Sequence, residues 1–533
     1  MKMVDDRKMK NASNTDEDSF YNKHQLQLNI CIGLALSSLC FIIPYLQNWG
    51  GHPLSRADAD IPFSYQALVI GDGRVPNDVS HTGYLYFLLQ SYWYSAGEFF
   101  GLLDVSSVTA LMRSSSPLEK YQEVIAAGRN LSLFLGFSFI FIFYFINLAI
   151  TRNRYITVVF TILFALGEGL SYQTILLRTE LLSSFFLFLS LFALIVSSQK
   201  DDIRAYAWIA GSALFASLAY ITKLQSIFLF AFFPIFGFLI FDKKKSSHPQ
   251  RAVSRNFLLW AATVTFLLTA PAWLLILKKV GYNSQVSYIF LFLMLLYALG
   301  VAYFFQRYKG SSLMQILLVA VGVVFGTGLG LSLMFVSFRA EFFIATANPI
   351  THMSQFILEE GLRSPKALST SYILEMVVKL FGHFHNIVIG DFDLLANGQR
   401  LGLWAGFAGV AVLSFIKQYR SAIIVLFLIL LVAWMQTVNA IRYSSPVYSI
   451  FVDPIMYSAL AFLAAALTRL SVGKIARHSV VILPLLFAAI LTERNIEVAQ
   501  GNWTQPFSNV CVQANGYLEP DVAKIFTKFC EDN

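Results

Sequence analysis

Charge is scarce in this chain. Only 13% of its 533 residues are Asp, Glu, Lys or Arg, against roughly 25% in a soluble domain. Apolar residues make up 56%, 50 of the positions are Phe, and mean hydropathy is +0.61. Runs of that composition would expose too much apolar surface in solution, which excludes an ordinary soluble protein. Cysteine is scarce as well. Of the four, none stands in a Cys/His spacing that holds a metal. Cys31 and Cys40 fall in the first apolar run and read as inert thiols. Cys511 and Cys530 fall in the polar C-terminal stretch, where they could close a short disulfide loop if that stretch lies outside the cytoplasm. No repeat of fixed period is visible, which argues against a solenoid. A cleavable signal is also missing. Residues 1–26 are polar, and Ser37-Ser38-Leu39-Cys40 lacks the small residue wanted before a cleavage site, so the first apolar run reads as a signal anchor.

What is present is a succession of apolar runs near the roughly 20-residue length of a membrane crossing. They cover 27–47, 130–150, 155–176, 181–198, 206–222, 224–241, 257–277, 286–305, 313–336, 401–416, 421–438, 448–468 and 478–492. The pattern predicts an all-α polytopic membrane protein of about 13 transmembrane helices. The formal net charge is +8. No basic-aromatic platform accompanies it, so nucleic acid is not the expected partner. The cations instead follow the positive-inside rule. With the N-terminus in the cytoplasm, alternate loops receive Arg152 and Arg154, Lys200 and Arg204, the group Lys243 to Arg255, Arg307 and Lys309, Lys417 and Arg420, and Arg469 to Arg477. Lys278-Lys279 are an exception. The predicted organisation is a cytoplasmic tail 1–26, a core 27–241 containing the outward loop 48–129, a basic cytoplasmic loop 242–256, further spans over 257–492 with the outward segment 337–400, and a small outward tail 493–533. The long mixed loops all face outward, so function is expected on the extracytoplasmic side. Within the first loop, Tyr84 to Tyr94 is aromatic and amphipathic and reads as a helix lying in the interface. Segment 354–382 is similar.

The outward face also gathers the side chains that could carry chemistry. Asp58 and Asp60 stand near the end of the first span. A carboxylate there could act as general base on an acceptor hydroxyl or amine, or it could be an ordinary solvated loop acid. Arg178-Thr179-Glu180 stands at the outward end of the third span. Arg and Glu could pair with each other, or Arg178 could bind a phosphate while Glu180 faces the same cavity. Glu168, between Gly167 and Gly169, is an acid at membrane depth, where a charge is costly and usually has a partner or a task. Lys223 ends the fifth span and breaks the inward bias of the cations, although a lysine there can simply snorkel. Arg442 could clamp a phosphate with two parallel hydrogen bonds. Cations that hold a departing phosphate, and acids that activate a nucleophile, describe group transfer from a lipid phosphate. His81 could contact substrate. His383 and His385 could offer two zinc ligands on a strand, but no third ligand stands at a known spacing, so no cofactor is expected and a divalent metal is not supported. Gly326 to Gly330 lies within a span and reads as a helix-packing face.

These patterns, in this order, resemble the GT-C superfamily of polytopic glycosyltransferases, which includes the protein O-mannosyltransferases and the aminoarabinose transferases of lipid A. The resemblance rests on Asp58-Ala59-Asp60 followed by Tyr65 and Gly71-Asp72-Gly73, and on His81-Thr82-Gly83-Tyr84. Further along it rests on Arg178-Thr179-Glu180, Tyr220-Ile221-Thr222-Lys223, and Arg442-Tyr443 with Pro446. It covers residues 1–241 best. It implies a GT-C-like catalytic core with interfacial helices in the first outward loop. The implied activity is transfer from a polyprenyl-phosphate sugar, with inversion, to a glycan, lipid or protein acceptor. Asp60 or Asp58 would be the catalytic base. Arg178, Lys223 and Arg442 would hold the donor phosphate, and Glu180, His81, Tyr65, Glu168 and Tyr443 would contact substrate. The expected location is a bacterial inner membrane with a periplasmic C-terminus. Two other classes fit a many-spanned chain with large outward loops: a transporter or flippase of lipid-linked glycans, and an O-antigen-type polymerase.

Overall fold

A computed structural model describes residues 24–42, 54, 60–76, 83–199, 204–223, 226, 229, 255–280, 295–302, 313–337, 370–389, 398–442, 448–469 and 508–532. The described residues are helical and contain no strand. In chain order the helices are α1 (His24–Phe41), α2 (Asp60–Gly71), α3 (Tyr84–Phe99), α4 (Val108–Arg113), α5 (Pro117–Thr151), α6 (Arg154–Ala165), α7 (Glu168–Ile175), α8 (Thr179–Gln199) and α9 (Arg204–Thr222). Then come α10 (Arg255–Val280), α11 (Leu313–Ser337), α12 (Thr370–Ile389), α13 (Gly398–Phe415), α14 (Tyr419–Arg442) and α15 (Ser449–Arg469). The last three are α16 (Ser508–Tyr517), α17 (Pro520–Ala523) and α18 (Thr527–Asp532). Six of these helices are long and apolar enough to cross a membrane, or seven if the bent pair α6–α7 counts as one span. Shorter apolar stretches lie in α10, α11 and α13. The protein is therefore an all-α polytopic membrane protein. The predicted run 478–492 and most of 224–241 fall outside the described residues.

Helix α5 organises the bundle. Pro117 opens it where a missing N–H costs nothing, and Arg152 ends it in the left-handed region at φ 52°. Its 35 residues extend about 52 Å, beyond the roughly 30 Å of a hydrocarbon core. The surplus at its N-terminal end carries Tyr121, Val124 and Ile125 into a second small core outside the main one. That core also takes Ile61, Tyr65 and Leu68 from α2, and Val510, Ala514, Leu518, Val522 and Phe526 from the C-terminal tail. A disulfide between Cys511 and Cys530 ties the tail to itself. Phe526 packs edge-on against Tyr121 at 5.4 Å, and Arg74 reaches Glu519 at 2.8 Å. The first loop and the tail, far apart in sequence, thus form one extramembrane body. In the Gly71-Asp72-Gly73 pattern, Gly73 takes φ 71° and Asp72 accepts the Thr109 N–H at 3.2 Å. Asp72 thereby holds the entry to α4.

The amphipathic stretch at Tyr84 forms α3. Tyr84, Tyr86, Phe87, Gln90, Ser91 and Tyr94 face inward. Trp93 turns outward, stacks on Phe134 of α5 at 6.4 Å and donates to the Ala127 carbonyl at 2.9 Å. At the opposite end of the bundle, Arg469 donates to the Thr151 carbonyl at 2.8 Å and Arg154 to Asn29 at 2.9 Å. Arg154 and Arg469 thus lie at the end away from the first loop.

The predicted span 155–176 is broken. Helices α6 and α7 meet at 51° across Leu166 and an extended Gly167. The cause lies in α15. A Cβ on Gly169 would come within 2.5 Å of the Ile450 nitrogen, so only glycine permits the approach. Pro454 sits inside α15 and cannot bond the Ile450 carbonyl four residues back. The Ser184 hydroxyl of α8 donates to that carbonyl instead, at 2.8 Å. Helices α8 and α9 pack through small residues, with the Ser190 and Ser212 hydroxyls 2.9 Å apart. Gly326 and Gly330 of α11 lie directly against Ala210 and Ser217 of α9, the close packing that small residues allow in a membrane.

Candidate active site

At the loop end of the bundle, four side chains singled out in the sequence converge. Asp60 is the first residue of α2, a favourable place for an anion against the helix dipole, and it is fully buried. One of its oxygens accepts the backbone N–H of Leu177 at 2.5 Å. The other meets the Nη2 of Arg129, from α5, at 3.1 Å. Burial is the larger influence and pushes the Asp60 carboxyl above the usual carboxylate range, against the pull of Arg129 and the Leu177 N–H. Leu177 lies between α7 and α8 and directly precedes Arg178. The carbonyl of Leu176 accepts the Ser132 hydroxyl at 3.0 Å, and that hydroxyl lies 3.3 Å from the Tyr86 hydroxyl. The turn is thus held from two sides, by α2 and by α5. The first loop also presses against it at Gly83, where any Cβ would collide with Thr179.

Arg178 is half-buried in this turn. Glu180, the second residue of α8, feels Lys223 more strongly than Arg178. Its carboxylate meets the Lys223 ammonium at 2.6 Å, and both side chains are buried. Lys223 therefore does not snorkel, and its ammonium stands 6.0 Å from the Tyr448 ring centre. Ser183 donates to the Ala219 carbonyl at 2.8 Å and fixes α8 beside the end of α9. With every group ionised, Arg129, Arg178 and Lys223 outnumber Asp60 and Glu180 by one charge, which leaves a positive edge suited to a phosphate.

The remaining predicted residues are placed as follows. Tyr65 is buried on the tail-facing side of α2, where burial first, and then Glu519, push its hydroxyl up to about 12. It packs in the second core, with residues of the C-terminal tail. Glu168 begins α7, about 12 Å along that helix from Leu176. Arg442 closes α14. Asp58, His81 and Tyr443 lie outside the described residues. His383 and His385 sit on helix α12 and not on a strand, where residues two apart diverge. Among the described residues no three His, Cys, Asp or Glu side chains group as a metal site.

Sequence reasoning missed Arg129 and a second polar cluster deeper in the bundle. There Asp453 of α15 accepts the Gln399 amide at 2.8 Å and the Gly169 N–H at 3.1 Å. Gln436 donates to Gln399 at 2.8 Å. Glu168 lies near enough to act on Asp453 electrostatically.

No protein-family model and no curated protein matches the chain. Among solved structures it is similar to the archaeal oligosaccharyltransferase AglB from Archaeoglobus fulgidus in complex with an inhibitory peptide and a dolichol-phosphate. That likeness has 13% identity and a TM-score of 0.46 over 96% of this chain and 60% of that one. The apo form of the Archaeoglobus fulgidus oligosaccharyltransferase gives 10% identity and a TM-score of 0.46 over 94% of this chain and 59% of that one. The chain thus spans no more than 60% of the length of these enzymes. Likeness of that strength assigns no function, and the side chains have to carry it.

Proposed function

We propose that this chain is a membrane glycosyltransferase. It takes a sugar from a polyprenyl-phosphate donor and gives it to a glycan, lipid or protein acceptor at the loop-bearing face of the membrane. A bacterial inner membrane with the basic end in the cytoplasm fits the distribution of Lys and Arg. One observation carries the reading: the Asp60 carboxylate accepts the N–H of Leu177, which joins the acidic first loop to the turn that bears Arg178. Acid and cations so meet at one end of the spans, at the depth of a lipid headgroup.

In the proposed reaction an acceptor oxygen or nitrogen attacks C1 of the sugar from the face opposite the phosphate. The C1–O bond to phosphate breaks, and its electron pair leaves with the polyprenyl phosphate. Arg178 and Lys223, with Arg442 from the end of α14, hold that phosphate and stabilise the charge that develops on it. The acceptor proton passes to a first-loop acid, Asp58 in this reading because both Asp60 oxygens are already engaged, a contribution of about 10²–10⁴-fold in rate. Glu180 keeps Lys223 charged and in place. His81 and Tyr443 are the proposed substrate contacts from the flanking segments.

The test is incubation of the purified protein with a panel of polyprenyl-phosphate sugars. The expected result is release of polyprenyl phosphate with at least one donor. A second reading, movement of a lipid-linked glycan across the membrane, draws on the polar cluster at Asp453, because a transporter needs polar groups through the membrane depth. Silence with every donor, together with glycan transfer across sealed vesicles, would replace the first reading by the second.

A further inference from the structure

Asp60 is the expected base, yet the structure engages both of its oxygens and leaves none of it exposed. An acceptor approaching this carboxylate would have to displace either a backbone N–H or a buried guanidinium. Arg129 is itself only 4% exposed, and it comes from the long helix α5, which also supplies Ser132 to the neighbouring Leu176 carbonyl. The one peptide that joins Leu176 to Leu177 is thus held by side chains at both its carbonyl and its N–H. Arg178 is the next residue. Its direction is set by a non-helical turn held by these contacts and by the Tyr86 hydroxyl, which accepts the Arg178 backbone N–H.

We propose that Asp60 and Arg129 are a positioning pair: Arg129 fixes the carboxylate, the carboxylate fixes the Leu177 N–H, and the turn so fixed aims Arg178 at the donor phosphate. The proposal rests on the transfer reading above and gives Asp60 a role other than proton removal. The buried charge on each partner is neutralised by the other, so removing one leaves a charge without its counterpart. Removing both leaves the turn intact, provided position 60 keeps an oxygen for Leu177.

Three variants in lipid nanodiscs test this: Asp60→Asn, Arg129→Met, and the two combined. The side-chain amide of the first keeps an acceptor oxygen. The measurements are the donor KM and kcat from release of polyprenyl phosphate, and direct binding of a short-chain polyprenyl phosphate without turnover. Each single variant is expected to raise donor KM and weaken phosphate binding by about tenfold or more, with a smaller change in kcat. The double variant is expected to recover both to within about threefold of the unmodified protein. A double variant that binds polyprenyl phosphate normally but does not turn over would show that Asp60 takes the proton, and would overturn the proposal. If the unmodified protein releases nothing from any donor, the transfer reading fails by itself. Binding then still decides the pair: recovery in the double variant supports it, and unchanged binding in both single variants contradicts it.

Discussion

Two of the polar clusters buried among the described residues are held in different ways. At the loop end each carboxylate faces a cation, Asp60 with Arg129 and Glu180 with Lys223. Deeper in, Asp453 is held by the Gln399 amide and the Gly169 N–H. Ion pairs fix both position and charge. A neutral donor set fixes position alone. The first arrangement suits a place where a charged group arrives and departs. The second suits a place where a helix breaks and must stay broken, as α6 and α7 do beside Pro454 and Gly169.

The comparison predicts effects of decreasing size. Glu180→Gln leaves Lys223 buried without its carboxylate and should cost about 3–5 kcal/mol in denaturant unfolding, with Lys223→Met in the same chain returning most of it. Unfolding at the unmodified midpoint would show that the pair does not hold the loop end. Gly169→Ala should cost about 1–3 kcal/mol, because the new methyl meets the α15 backbone and no flexible side chain can yield. Asp453→Asn should cost less, about 1–2 kcal/mol, since one oxygen still accepts and only one donor is left unsatisfied. A loss as large as that of Glu180→Gln would erase the distinction between the clusters.

The smallest effect is in pH. Burial raises the Asp60 carboxyl above its ordinary value, so the folded protein holds that proton more tightly than the unfolded chain. Ionising Asp60 then opposes folding. Its contribution to stability is full below the unfolded value of about 4 and declines as pH rises through the folded value. Thermal melts across that window should flatten in Asp60→Asn. A stability that instead rises with pH in the unmodified protein, and does so only while Asp60 is present, would reverse the sign argued here.

Much of the loop end was legible in the sequence. Arg178, Glu180 and Lys223 stand where apolar runs stop, Asp60 follows in the loop after the first run, and the two cations break the inward bias. Sidedness alone brought them to one face. Their pairing was not legible. Lys223 chooses Glu180, 43 positions away by the numbering, and such a choice depends on how α8 packs on α9. Arg129 had a signal that went unread, a lone cation at the outward start of a span. Asp453 also had one, an acid inside the apolar run 448–468. Gln399 and Gln436 had none, because a neutral amide barely disturbs hydropathy. The break of the span at Gly167 was hinted at by its flanking glycines, but its cause is the α15 backbone, which local pattern does not reveal. The union of the first loop with the C-terminal tail is likewise a long-range packing event between short amphipathic pieces.

The central claim is that sugar transfer takes place at the loop end and not at the deeper cluster. The most direct measurement is the rate of polyprenyl phosphate release by the unmodified protein, Arg178→Ala and Asp453→Asn, each at matched folded concentration. The account predicts a loss of about 100-fold or more for Arg178→Ala, the scale of removing one group that stabilises developing charge, with Asp453→Asn within a few-fold of the unmodified rate. The reverse order, with Asp453→Asn silent and Arg178→Ala active, would contradict it.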